Sequence, residues 1–114
     1  MARKYELITE LYKQTVRELS ASYTNWTAFL RSACRNYRLP FDELVLVYAQ
    51  RPDATAVLPI EGENGWNKRF GRWVNRGATG IAVFDREYAQ GTRLKYYFDI
   101  SDTHESRFAR LVPL

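Results

Sequence analysis

The sequence predicts an α+β domain, with about three N-terminal helices and a short fourth helix packed on a small, mainly antiparallel sheet. Three observations predict it. Apolar residues recur at helical spacing through the first 50 positions, Arg51-Pro52 halts that pattern, and a period of two takes over from Arg93 to Ile100. The 114 residues fit one domain, 1–114, that buries about two-thirds of its unfolded surface. Its 46% apolar and 15% aromatic content lies far from that of a disordered chain.

From Lys4 to about Ser20, Tyr5, Ile8, Leu11 or Tyr12, Thr15 or Val16 and Leu19 repeat every three or four positions, with charges on the opposite side. That is a first amphipathic helix. Ser22 and Thr24 can cap a second, in which Trp26, Phe29, Leu30, Ala33, Cys34 and Tyr37 form the expected inward stripe, ending near Arg38. Pro40 suits the first position of a third helix, Asp42 and Glu43 suit its positive end, and Phe41, Leu44, Val45, Val47 and Tyr48 give it an apolar body.

Residues 54–60 read as a short strand and residues 61–65 as a turn. A short helix over Trp66 to about Arg72 follows, with Gly71 marking an uncertain end. Gly77 and Gly80 bracket a loop before a strand over Ile81–Phe84, and a connection from Asp85 to Thr92, with Gly91 near the return, leads to the last strand. There Leu94, Tyr96, Phe98 and Ile100 are expected in the core, and Arg93, Lys95, Tyr97 and Asp99 outside.

Charge is unevenly spread. Residues 1–65 hold eight basic and eight acidic side chains, whereas residues 66–97 hold seven basic and two acidic ones, a surplus of five. A polyanion-binding surface needs such a segment. If Trp66 onward is helical, Lys68, Arg72 and Arg76 stack on one face, interleaved with Trp66, Phe70 and Trp73. Cations attract phosphate and flat rings stack unpaired bases, the two needs of sequence-tolerant single-strand binding. For the tryptophans a role as core anchors is the favoured reading, whereas the absence of any acid between residues 64 and 84 favours ligand contact for the cations. Arg93, Lys95 and Tyr97 form a second stripe, which reads either as an extension of the groove or as an edge strand guarded by charge.

Enzymatic readings fail on inventory. One histidine and one cysteine supply neither a zinc set nor a histidine-based triad. Asp99, Asp102, Glu105 and His104 could in principle meet a divalent ion, but a polar strand exit is the expected reading. No cofactor, no metal and no catalytic residue is expected. Cys34 alone permits no disulfide framework and is expected as a buried hydrophobe, and no signal or membrane-spanning pattern is seen, so a cytoplasmic setting is expected.

Several strings, in order, carry a family resemblance: Trp26 with Phe29-Leu30 and Tyr37, Val47 to Thr55, Trp66-Asn67-Lys68 running to Gly71-Arg72 and Val74 to Gly77, then Gly80-Ile81. Over roughly residues 22–84 the chain resembles the N-terminal domain of ArdC-type antirestriction proteins. That domain also stands at the front of plasmid primases and of large helicase and methyltransferase proteins of conjugative elements, and Phe98 to Thr103 is similar to the mobile-element version. The resemblance implies non-sequence-specific single-stranded DNA binding, and implies that the chain is a fragment of a larger protein.

The expected function is therefore a single-stranded DNA-binding module of a mobile-element protein. Its nucleic-acid-binding residues would be Lys68, Arg69, Arg72, Trp73, Arg76, Arg93, Lys95 and Tyr97. The alternative is a protein-interaction or docking domain, whose basic segment meets an acidic domain of the parent polypeptide and whose helices expose an apolar patch.

Overall fold

The chain runs α1 (Ala2–Ala21), α2 (Tyr23–Arg35), α3 (Phe41–Gln50), β1 (Val57–Leu58), α4 (Trp66–Phe70), β2 (Arg72–Val74), β3 (Ile81–Phe84), β4 (Leu94–Asp99), a 3-10 turn (Ile100–Asp102) and β5 (Thr103–Glu105). The computed structural model describes residues 2–85 and 93–113, so the connection predicted from Asp85 to Thr92 lies, beyond Asp85, outside the described residues. The class is α+β, as the change of periodicity predicts. One antiparallel sheet has the order β1-β4-β3, and β2 with β5 forms a separate two-stranded ribbon.

Ser22, with extended backbone, divides α1 from α2, and its hydroxyl accepts the amide of Asn25 at 3.3 Å. Pro40 sits one place before α3, not at its first position, and Asp42 and Glu43 in the first turn are buried rather than solvated. Leu19, Phe29 and Val45 fill the angle between the three helices. Ile8, Leu46, Val47, Val57, Ile81, Ala82 and Val83 fill the space between helices and sheet. At the free edge of β3, Gln50 stands in for another strand: its amide accepts from the Ala82 N–H at 3.0 Å and donates to the Ala82 carbonyl at 2.9 Å.

Three expectations are corrected. The first concerns α2, which is rotated about its axis relative to the predicted stripe. Phe29, Ser32 and Asn36 face the core, while Trp26 and Leu30 are 41% and 44% exposed, Tyr37 is 69% exposed, and Cys34 is exposed. Polar anchors set that rotation. Arg35 donates to the carbonyls of Pro52 (2.6 Å) and Ala54 (3.1 Å), and the Asn36 amide donates to Ala54 at 3.4 Å, so this side of α2 is drawn onto the chain beyond α3.

The second concerns the phase of β4. Tyr97 and Asp99, expected outside, are buried, and Tyr96 is partly exposed. Both inward groups are polar but fully occupied. Tyr97 reaches Glu43, and the Asp99 carboxylate accepts the amides of Thr55 (2.8 Å), Ala56 (3.1 Å) and Ser101 (3.1 Å) and the Ser101 hydroxyl (2.6 Å). The opposite side of the sheet is also covered in part, by Tyr5 and Tyr12 against Phe84 and by Lys4 over Tyr96, so simple alternation does not reveal which side is interior.

The third concerns the short helix. It ends at Phe70 because Gly71 turns left-handed (φ 63°), and a Cβ there would lie 2.4 Å from the Phe108 carbonyl oxygen. Arg72 therefore opens a strand. Lys68, Arg72 and Arg76 do not stack along one helix.

Candidate nucleic-acid interface

Trp66 and Phe70 bury the inner side of α4, and the Trp66 indole donates to the Phe98 carbonyl at 2.7 Å. With its apolar side consumed, α4 leaves Lys68 and Arg69 in solvent at the entry to the ribbon. Lys68 pairs with Glu63, both side chains well exposed, so the pair is weakly held and open to exchange for phosphate. The Arg69 guanidinium lies 5.1 Å from the centroid of Phe70.

In the ribbon, Arg72 faces Glu105, Trp73 faces His104 and Val74 faces Thr103. Alternation sends Trp73 and His104 to the solvent side, and Trp73 is 49% exposed. Asn75, just past β2, donates its amide to the Asp102 carbonyl at 2.7 Å and places its side-chain oxygen 2.6 Å from Nδ1 of His104. That contact orients the imidazole on the exposed side of the ribbon. Arg76 is exposed in the turn beyond.

A chain segment the sequence does not single out completes this surface. Beyond β5, Ser106 donates its amide to the Gly71 carbonyl at 3.2 Å, and the Arg110 amide donates to Phe70 at 2.8 Å. These bonds lay residues 106–110 against the end of α4. They bring Arg107, with its guanidinium 4.9 Å from the Phe108 ring centroid, Phe108 at 69% exposure, and the exposed Arg110. Residues 66–76 and 103–113 together carry six Lys or Arg and a single acid, Glu105. The available signal was Arg107-Phe108-Ala109-Arg110, a cation and aromatic string like Lys68-Arg69-Phe70; a three-residue strand is too short to show that the two strings meet.

Four predicted site residues do not join this surface. Arg72 is committed to the ribbon itself, donating to the Thr103 hydroxyl at 2.8 Å and its carbonyl at 3.3 Å, with Glu105 at 3.6 Å and only 13% of its side chain exposed. Tyr97 is 8% exposed, too buried to stack a base, and burial followed by the Glu43 contact pushes its phenol far above the usual value. Lys95 pairs with Glu43 at 3.4 Å. Arg93 is exposed and lies 3.5 Å from Asp85, at the head of β4. Arg93, Lys95 and Tyr97 belong to the three-stranded sheet, so they form no second stripe on the ribbon.

The acidic positions near His104 are likewise engaged. Asp102 accepts from Arg51 at 2.6 Å, which raises the Arg51 pKa. Burial alone would raise the Asp99 carboxyl, but the Ser101 hydroxyl and the amides of Ala56, Ser101 and Thr55 hold it below its usual range. Among the described residues, no three His, Cys, Asp or Glu side chains are placed to hold a metal ion, and no helix is long and apolar enough to cross a membrane. No protein-family model, curated protein or solved structure matches the chain.

Proposed function

We propose that the domain binds single-stranded DNA without reading its sequence, on the surface made by α4, the β2–β5 ribbon and residues 106–110. The observation that carries this reading is Trp73, half exposed on a two-stranded ribbon whose adjoining segments hold the exposed cations Lys68, Arg69, Arg76, Arg107 and Arg110. Phosphates meet the cations while unpaired bases stack on Trp73 and Phe108. Duplex DNA hides its base faces and gains only the phosphate contacts. In this reading the domain binds and does not catalyse, needs no cofactor, and works in the cytoplasm, where the exposed thiol of Cys34 stays reduced. The resemblance to the ArdC-type N-terminal domain points the same way, to a mobile-element protein in which other domains of one polypeptide act on the strand held here.

Fluorescence anisotropy of labelled DNA of about 20 nucleotides, single-stranded and duplex, across a salt series tests the proposal. It predicts preference for the single strand and a log-log salt slope of about −2 to −4, or roughly three to six phosphates neutralised. Equal binding of both forms, or none at low salt, would refute it.

A further inference from the structure

We propose that the outer side of α2 docks an amphipathic helix with acidic flanks, supplied by another protein or domain. Tyr23, Trp26, Leu30, Cys34 and Tyr37 are spaced three, four, four and three apart, which at about 100° per residue places them along one line of the helix and its last turn. All five are exposed, Tyr23 by 85%, and Phe41 at 50% exposure widens the stripe where α3 begins. The stripe is built on the core: the rings of Trp26 and Phe41 lie 5.5 and 5.9 Å from buried Phe29. Rigid aromatic anchors on a continuous apolar line are what a helix-on-helix contact requires.

Charge selects the occupant. No acid occurs between Glu18 and Asp42, while Arg31, Arg35 and Arg38 follow one flank of the stripe. Arg35 is spent on Pro52 and Ala54, but Arg31 and Arg38 are exposed, the latter lying over the Tyr37 ring at 5.6 Å. A second copy would bring Arg31 and Arg38 against the same two cations, with no acid in residues 19–41 to offset them. A nucleic acid strand needs cations interleaved with rings, whereas here Leu30 and Cys34 occupy the centre of the line. A helix with an apolar line and glutamates beside it meets both features at once, the apolar contact supplying affinity and the rim charges supplying orientation.

The test is an amide-resolved NMR titration of the intact labelled chain with two synthetic amphipathic helical peptides, alike in their leucine line but flanked by Glu in one and Lys in the other. The Glu peptide is expected to shift the amides of residues 23–38, to bind roughly fivefold or more tightly than the Lys peptide, and to lose binding on Leu30→Asp. Leu30 is 44% exposed and stands outside both core clusters, so Leu30→Asp should leave the fold and single-strand binding intact. Equal affinity for the two peptides, no binding at millimolar peptide, concentration-dependent self-association lost in Leu30→Asp, or shifts of the same amides by single-stranded DNA would each overturn the proposal. DNA binding on the ribbon is read separately, so failure of either reading is seen without the other.

Discussion

The hydroxyl of Tyr97 donates to Oε1 of Glu43, joining β4 to the first turn of α3 across 54 positions of sequence. Lys95 approaches the other oxygen of the same carboxylate, so a buried acid is held between a phenol and an ammonium group. Tyr97→Phe leaves one Glu43 oxygen without that donor and is expected to cost about 1–3 kcal/mol in denaturant unfolding, with single-strand affinity unchanged.

The same contact makes a prediction at alkaline pH. Burial and then Glu43 raise the native Tyr97 pKa above its unfolded value of about 10, so its contribution is complete below that pH and is lost as pH rises beyond it. Stability measured from pH 9 to 11 should fall more steeply in the native chain than in Tyr97→Phe, by up to about 1.4 kcal/mol per pH unit.

Asp99 predicts the opposite limb. Its carboxyl is held below the usual range, so its stabilisation is present above the unfolded value of about 4 and is lost as pH falls through the lowered native one. Asp99→Asn is expected to cost about 1–3 kcal/mol at neutral pH and to flatten the acid limb of the stability curve. Urea unfolding at pH 7 and pH 3 reads both.

The tryptophans should separate by role. Trp73→Ala is expected to weaken single-strand binding by about 1–3 kcal/mol while changing stability less than loss of a buried ring would, because Trp73 is half exposed. Trp66→Ala removes a fully buried ring and its bond to Phe98, and should cost about 3–5 kcal/mol of folding stability. Anisotropy and thermal melts of the two variants decide the assignment.

Arg72 distinguishes a ribbon tie from a phosphate ligand. Arg72→Ala should destabilise the domain by about 1–3 kcal/mol, since Thr103 loses the guanidinium donor to its hydroxyl and carbonyl, and should leave the salt slope of DNA binding near the native value.

What was legible in the sequence follows from which signals are local. The breaks at Ser22, Pro40 and Arg51-Pro52 act within a turn or two, and all three mark element ends in the structure. Facing is not local. The inward side of α2 depends on Arg35 and Asn36 finding the carbonyls of Pro52 and Ala54, and that of β4 depends on Tyr97 finding Glu43. Both chains of partners cross 17 or more positions and carry no periodic mark. The same limit explains the site. Lys68, Arg69, Trp73 and Arg76 stand out as a string, but their neighbours Arg107, Phe108 and Arg110 arrive only because β5 pairs with β2.

The most direct measurement is single-strand affinity against salt for Arg69→Ala/Arg107→Ala/Arg110→Ala beside a control, Arg31→Ala/Arg38→Ala, on α2. Binding on the ribbon predicts that the first variant loses about two units of log-log slope, at about 0.7 per phosphate contact, while the control keeps the native slope. Equal slopes in all three proteins, or loss in the control alone, would contradict the account.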